Sequence, residues 1–454
     1  MFVNREVELD RLEEWWDRRG GSLGVLWGRR RVGKTALMQH FAVDRPAVFH
    51  TGGGRPAADE LQALSRAAAS ALDDGMRDLR ERPFVDWDDA FETLAAAAAS
   101  RRLLLVLDEW PALTRVSPEL PDLLRAAWDR VGGRTKLKVL ISGSAVRTME
   151  EMQEERSPLY GRLDLRLLLH PFRPHEAALM LPRLSPAQRA LVWGLVGGIP
   201  LYLRWWNQSA SVRANLAALA CSPGGQLLTE GQLVLATEAD GGDLARQVLY
   251  AIAAGRTKYH EIEQSVGADP GRTLDRLVAL RLVERLVPVT EAGARTRRRV
   301  YRIADNFLAF WLGVLDRYRP EIERGLGESI LPVLLDSLDD HMGGVWEEAF
   351  RDHLRLRAAA GELGDVVAIG PFWTSGADPG EIDAVALAGR GREAVLVGEA
   401  KWTKRVDGSA LRADLERKAA ALPKLADEAR YAVAARERVD GAAGILAVTA
   451  PDIF

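Results

Sequence analysis

The sequence predicts a multidomain α/β protein: a doubly wound parallel sheet, a helical lid, a three-helix module with a β-hairpin, and a second α/β domain at the C-terminus. Three observations predict it. Short apolar runs alternate with helical patterns over residues 1–172, as in a parallel sheet with crossover helices. A purely helical pattern follows to about 242. Strand patterns then return beside helices over 338–454. At 454 residues the chain is also longer than one ordinary domain.

In the first region the expected strands are 23–27, 46–51, 103–107, 137–142 and 163–169. Leu23-Gly24-Val25-Leu26-Trp27 and Leu103-Leu104-Leu105-Val106-Leu107 are apolar throughout, as strands covered on both faces are. The Ala-rich stretch 95–99 belongs to a helix ahead of the second run. Over 173–242, read as the lid, Pro171, Pro174, Pro182 and Pro186 punctuate the start. In 243–303, helices at 244–254, 259–266 and 272–280 precede two strands within 282–302 that flank a basic loop. That order is a winged helix. Residues 304–337 read as a helical connector, and the aromatics Phe307, Phe310, Trp311, Tyr318 and Trp346 as core. The last region, 338–454, offers a helix at 338–357, strands near 363–370, 381–387 and 394–399, a helix near 408–425, and strands at 430–434 and 444–448.

Residues 28–35 read Gly-Arg-Arg-Arg-Val-Gly-Lys-Thr, a complete G-x-x-x-x-G-K-T phosphate-binding loop between a strand and a helix. Gly28 and Gly33 let the backbone curl so that N–H groups face phosphate oxygens, and the helix N-terminus adds its positive dipole end. The stretch through Arg31, Val32 and Ala36 is therefore expected to cradle a nucleoside triphosphate. Lys34 would reach the β- and γ-phosphates, and Thr35 would ligate Mg²⁺. The run 103–107 ends in Asp108-Glu109. Asp108 can hold Mg²⁺ through water, and Glu109 can orient or deprotonate the attacking water.

Composition excludes several classes. Lys and Arg number 61 against 64 Asp and Glu, a net charge of −3, so any nucleic-acid surface must be local. The candidates are Arg272, Arg276 and Arg281 around the third winged-helix helix, and Arg295, Arg297, Arg298 and Arg299 in the wing, which would meet phosphates. A winged helix also serves for packing, and both readings stay open. The single cysteine, Cys221, excludes an intramolecular disulfide and fits a reducing compartment. No apolar run is long enough to span a bilayer, and the first six residues lack a signal-peptide pattern. The expectation is a cytoplasmic protein without a membrane partner.

A second constellation lies near the C-terminus. Glu399 and Lys401 are two apart on one expected strand and share a face. Asp383 ends a short run on the strand before it, where antiparallel pairing would set it beside Glu399. Two carboxylates brought together repel unless a cation holds them, and hard oxygen ligands suit Mg²⁺ or Mn²⁺. Lys401 beside such a metal could position a nucleophilic water. Glu347, on the helix before the strands, is the expected fourth member. The other reading of this stretch is a solvated, charged strand edge. The arrangement resembles the D-x(n)-E-x-K restriction-endonuclease-like nucleases, with Ile382 standing where that family carries proline.

Further motifs extend the resemblance. Asn4-Arg5-Glu6, the phosphate loop, Leu107-Asp108-Glu109, Ile141-Ser142-Gly143-Ser144, Tyr160-Gly161-Arg162, Gly197-Gly198-Ile199-Pro200 and Asp305-Asn306-Phe307 resemble the archaeal-type P-loop ATPases of the AAA+/STAND group. The resemblance implies ATP as the nucleotide, Asn4 and Arg5 near the adenine, Ser144 as a polar sensor near the γ-phosphate, and Pro200 packed on the nucleotide. Arg147, Arg156 and Arg162 are candidate arginine fingers. The implied function is ATP binding and hydrolysis by a DNA-acting protein whose C-terminal domain cleaves phosphodiesters with Mg²⁺, in a role such as genome defence. The alternatives are a STAND-like switch or DNA-binding regulator with a non-cleaving nuclease-like domain, and an ATPase that contacts only a protein partner or a second copy of itself.

Overall fold

The computed structural model describes residues 2–72, 77–237, 242–293, 296, 298–374 and 380–454. The chain folds as two compact units, Met1–Pro171 and Phe172–Phe454. Among the described residues no helix is long and apolar enough to cross a membrane.

The first unit is built on a five-stranded sheet of β1 (Ser22–Trp27), β2 (Ala47–Thr51), β3 (Leu103–Asp108), β4 (Leu137–Gly143) and β5 (Leu163–Leu168), in the order β2-β3-β4-β1-β5. Every pairing is parallel. β1, β3 and β4 are buried along their whole length, which is why 23–27 and 103–107 read as continuous apolar runs. Helices such as Ala57–Ala71 and Trp87–Ala97 pack Leu61, Leu64, Phe91 and Leu94 into the same core. This strand order places the end of β4 between the ends of β1 and β3. Ligands in open parallel sheets bind outside those carboxyl ends.

The second unit opens with helices from Pro174–Leu179 to Gln226–Thr237 and no strand among its described residues there. Helices Gly242–Ala253, Tyr259–Val266 and Gly271–Ala279 precede the antiparallel pair β6 (Val283–Leu286) and β7 (Val300–Ile303). Phe307, Phe310, Trp311 and Trp346 are core as expected, while Tyr318 is half-buried. The helix Leu338–Ala359 then leads into β8 (Val366–Trp373), β9 (Glu381–Ala388) and β10 (Glu393–Lys401). After β11 (Arg405–Asp407) and the helix Gly408–Ala419 come β12 (Leu425–Ala435), β13 (Arg438–Asp440) and β14 (Ile445–Val448). The main sheet runs β14-β12-β10-β9-β8, parallel on the β12 and β14 side and antiparallel on the other, and β11 pairs with β13. The helix expected to reach 425 stops at Ala419, where the chain turns into a β12 longer than expected.

One glycine sets the second unit's chemistry. A Cβ on Gly398 of β10 would stand 2.8 Å from the Phe350 ring. The bare backbone lets helix Leu338–Ala359 lie against β10 and brings its acidic turn over the strand that carries Glu399.

Candidate functional site

In the first unit, β1 hands directly into the phosphate loop, and the loop into helix Lys34–Ala42. Gly28 has φ 156°, and a Cβ there would lie 2.3 Å from the Leu169 carbonyl oxygen, so no other residue fits. Arg31 (φ 66°) and Gly33 (φ 100°) turn left-handed, which gathers successive N–H groups into a concave anion site. Val32 is fully buried and anchors the tip. Ala36 is exposed in the first turn of the helix. Arg5, left-handed and buried, donates to the carbonyls of Val32 (3.2 Å) and His170 (2.7 Å) and to Glu8 (2.9 Å). It braces the outside of the loop against the chain after β5, with half-buried Asn4 beside it.

The Lys34 ammonium donates to the carbonyls of Gly28 and Arg29, each at 3.0 Å. Thr35 Oγ1 donates to Asp108 Oδ2 at 2.8 Å. The other Asp108 oxygen accepts from Ser142 Oγ at 2.8 Å and from the Glu109 amide at 3.0 Å. Glu109 is left-handed (φ 53°), and its carboxylate accepts from Ser144 Oγ at 3.1 Å. Loop, β3 and β4 thus meet through Thr35, Asp108, Glu109, Ser142 and Ser144. A hydroxyl and a carboxylate oxygen side by side suit a Mg²⁺ ion in chemistry. Ser142 carried no role in the sequence reading, although a buried hydroxyl within the apolar run of β4 was its signal. Of the arginine-finger candidates, Arg162 forks onto Asp129 (2.8 and 2.9 Å), Arg147 pairs with Glu151 (2.7 Å) and Arg156 is exposed. Pro200 belongs to the second unit, where it opens helix Pro200–Trp205.

In the second unit the carboxylates converge. Asp383 and Glu399, on adjacent antiparallel strands, are both buried. Asp383 Oδ2 accepts from the Ala400 amide at 2.8 Å, and its carbonyl accepts from Arg351 at 2.7 Å. Burial first, then the charges of Glu347 and Glu399, push the Asp383 carboxyl up to about 7. Glu347, on the overlying helix, is also pushed up, chiefly by burial, against the pull of Arg351. Glu399 is clamped on both oxygens, by Lys401 at 2.6 Å and Lys418 at 3.0 Å. Ile382, at the position where a proline was absent, is fully buried.

Glu347, Asp383 and Glu399 were expected to form a metal site; in this arrangement Glu399 pairs with two lysines and Asp383 accepts from a backbone amide, and among the described residues no group of three His, Cys, Asp or Glu side chains is arranged to hold a metal ion. Lys418 was missed. It sits three residues beyond Leu415 and beside Ala419, on the face that helix Gly408–Ala419 buries, and that spacing was its signal. Arg351 was also missed. It is buried and holds Glu348 at 3.1 Å as well as the Asp383 backbone.

The wing also differs from expectation. Arg298 is not a free phosphate contact: it donates to the Trp373 carbonyl at 3.0 Å and pairs with Glu291. The cause is Val289, between β6 and β7, which is buried in the apolar core of the C-terminal sheet with Phe372, Ile382 and Val385 and draws the loop inward. Arg272, Arg281 and Arg299 are exposed and Arg276 is half-buried. Arg295 and Arg297 lie outside the described residues.

Comparison with known proteins agrees with the first site. Residues 2–205 match a family described as an ATPase domain predominantly from Archaea, and residues 311–416 match one described as "Archaea bacterial proteins of unknown function". An uncharacterized protein of Methanocaldococcus jannaschii is 26% identical over 412 residues, covering 88% of each chain. A short uncharacterized ATP-binding protein of the same organism is 54% identical over 53 residues, 11% of this chain and 90% of that one. Among solved structures, the fold is similar to that of a Walker-type ATPase of Pyrococcus abyssi, with a TM-score of 0.52 and 20% identity, over 68% of this chain and 96% of that one. Fold and site define a P-loop ATPase. The N-terminal region is similar to the archaeal ATPase-domain family over residues 2–205, and the match to the second family follows it over 311–416.

Proposed function

We propose that this ATPase acts on DNA, and that its C-terminal region, read as a restriction-endonuclease-like domain over 338–454, cleaves phosphodiesters with Mg²⁺ or Mn²⁺. The observation that carries the reading is the meeting of Asp383, Glu399 and Lys401 under Glu347. In the first unit, Lys34 exchanges its two loop carbonyls for phosphate oxygens. Thr35 and Asp108 hold Mg²⁺, and Glu109, oriented by Ser144, positions the attacking water. In the second unit the donor set is all hard oxygen, and burial together with the neighbouring Glu347 and Glu399 charges raises the Asp383 carboxyl. A divalent cation bound there supplies Lewis acidity toward phosphate and a more acidic water. The chain's own part is to hold the reacting phosphate: Lys401 offers its ammonium to the developing charge, and Arg351 fixes the strand that presents Asp383.

The double clamp on Glu399 favours a second reading, a non-cleaving domain whose ATPase is a switch. The full chain incubated with plasmid and linear DNA, with and without ATP, in Mg²⁺, Mn²⁺ or EDTA, separates the two. Cutting that vanishes in EDTA and in Asp383→Ala, Glu399→Ala and Lys401→Ala, with ATP hydrolysis kept, supports cleavage. ATP hydrolysis and DNA binding without cutting in either metal supports the switch.

A further inference from the structure

In a parallel sheet every strand begins at one edge, and in the first unit that edge lies opposite the phosphate loop. The segments leading into the strands line a cavity of about 590 Å³ there: Arg18 and Arg19 before β1, Pro46 before β2, Arg101 and Arg102 before β3, and Lys136 before β4. Five cations thus face one space. The paired carboxylates nearby are two, Asp17 on Arg102 at 2.9 Å and Asp164 at 3.7 Å from Arg18. Asp164 is also taken up by Ser22 at 2.7 Å. The Lys136 ammonium donates to the Ser100 carbonyl at 2.7 Å. Arg19 and Arg101 are exposed and make no hydrogen bond or ion pair among the described residues. Next to the cleft, Lys138 is buried on β4 and donates to the Arg18 carbonyl at 2.7 Å. Burial, and after it the Arg102 charge, push it down to about 8. Positive charge is gathered here at a cost that an arriving anion would offset.

The sheet sets their order. β3, β4 and β1 are successive neighbours about 4.8 Å apart, so Arg101 with Arg102, Lys136, and Arg18 with Arg19 follow one another along this edge, just ahead of the strands. A lone anion needs one such group, whereas a row suits a chain of charges such as the phosphates of a nucleic-acid strand, one per about 3.4 Å of helix axis. Guanidinium forks at both ends of the row match phosphate oxygens. The Trp16 ring is not a platform for bases: it is 9% exposed, with the guanidinium groups of Arg45 and Arg102 at 5.4 and 5.9 Å from its centre.

We propose that this cleft binds the phosphodiester backbone of a nucleic acid without reading its bases. Cleavage by the C-terminal region is not needed for it, and the test reads binding alone. The full chain in EDTA is titrated against a labelled duplex of mixed sequence at stepped salt, beside an Arg19→Gln/Arg101→Gln double variant. Both side chains are exposed and unpaired, so thermal stability and ATP turnover should match wild type. The variant is expected to bind about tenfold more weakly and to flatten the slope of log K against log salt by about 2. Unchanged affinity and slope overturn the proposal, as does a wild-type chain that binds no duplex at low salt. A variant that keeps duplex binding while losing affinity for poly-glutamate or inorganic polyphosphate also overturns it, and identifies an acidic partner of that kind.

Discussion

Lys34 in the phosphate loop donates to two backbone carbonyls, whereas Lys401 and Lys418 donate to the two oxygens of one carboxylate, Glu399. The carboxylates differ in the same way. Asp108 is held by the Thr35 and Ser142 hydroxyls and a backbone amide, neutral donors that leave its charge in place. Glu399 is held by cations that cancel its charge. On the proposed reading, the first site would take up a phosphate and a Mg²⁺ ion without breaking an ion pair of its acid, and the second would have to release a lysine before a cation could settle. One is poised and the other is latched.

The largest effect that could break this contrast is at the loop. Lys34→Ala should lower ATP turnover by a factor on the order of a hundred to a thousand, as loss of a transition-state charge contact does. Glu109→Gln should keep ATP binding and stall hydrolysis. Phosphate release at the wild-type rate in both variants would remove the first site from consideration.

Next come the supports. Arg351→Met strips a buried cation from Glu348 and a donor from the Asp383 carbonyl, and should cost on the order of 3 kcal/mol of unfolding free energy in urea. Ser142→Ala removes one neutral hydrogen bond and should cost about 1 kcal/mol. Similar losses from the two would deny that one site rests on charge and the other on hydroxyls.

The latch itself is tested by Lys418→Ala. Freeing one oxygen of Glu399 should raise Mn²⁺ affinity about tenfold by calorimetry on metal-stripped protein. Equal affinity would mean that the lysines do not compete with the cation.

Lys138 belongs to neither site and makes the smallest prediction. Its folded pKa, about 8, lies below the unfolded 10.5, so between those values the unfolded chain holds more protons and stability rises with pH. Thermal melts from pH 7 to 11 should show this rise in wild type, on the order of 1 kcal/mol, and not in Lys138→Met. Parallel pH profiles would contradict it.

How much could be read beforehand followed from how local each signal was. The phosphate loop is one contiguous segment whose glycines and lysine have a single use together, and strands buried on both faces announce themselves as apolar runs. Asp383, Glu399 and Lys401 were legible because period-two alternation and antiparallel pairing dictate which side chains meet. Lys418 and Arg351 come from helices on other parts of the chain, and a sequence states which face of a helix is buried more readily than what it is buried against. The wing failed for a related reason. A run of arginines looks like a solvent-facing contact until one neighbouring valine is found in another domain's core, carrying Arg298 with it.

That valine has a consequence for how the molecule can be divided. Val289 lies among the core side chains of the C-terminal sheet, its carbonyl accepts from Arg392 at 2.9 Å, and it packs on Gly370 with its Cβ 3.1 Å from where a Cβ on that glycine would stand. A fragment beginning at 338 would start life with a hole in its interior, and one ending at 337 would present a greasy loop to water. The hairpin and the terminal sheet are therefore a single heritable piece. Gene fusion, loss or duplication that separates them must rebuild both faces of the seam at once.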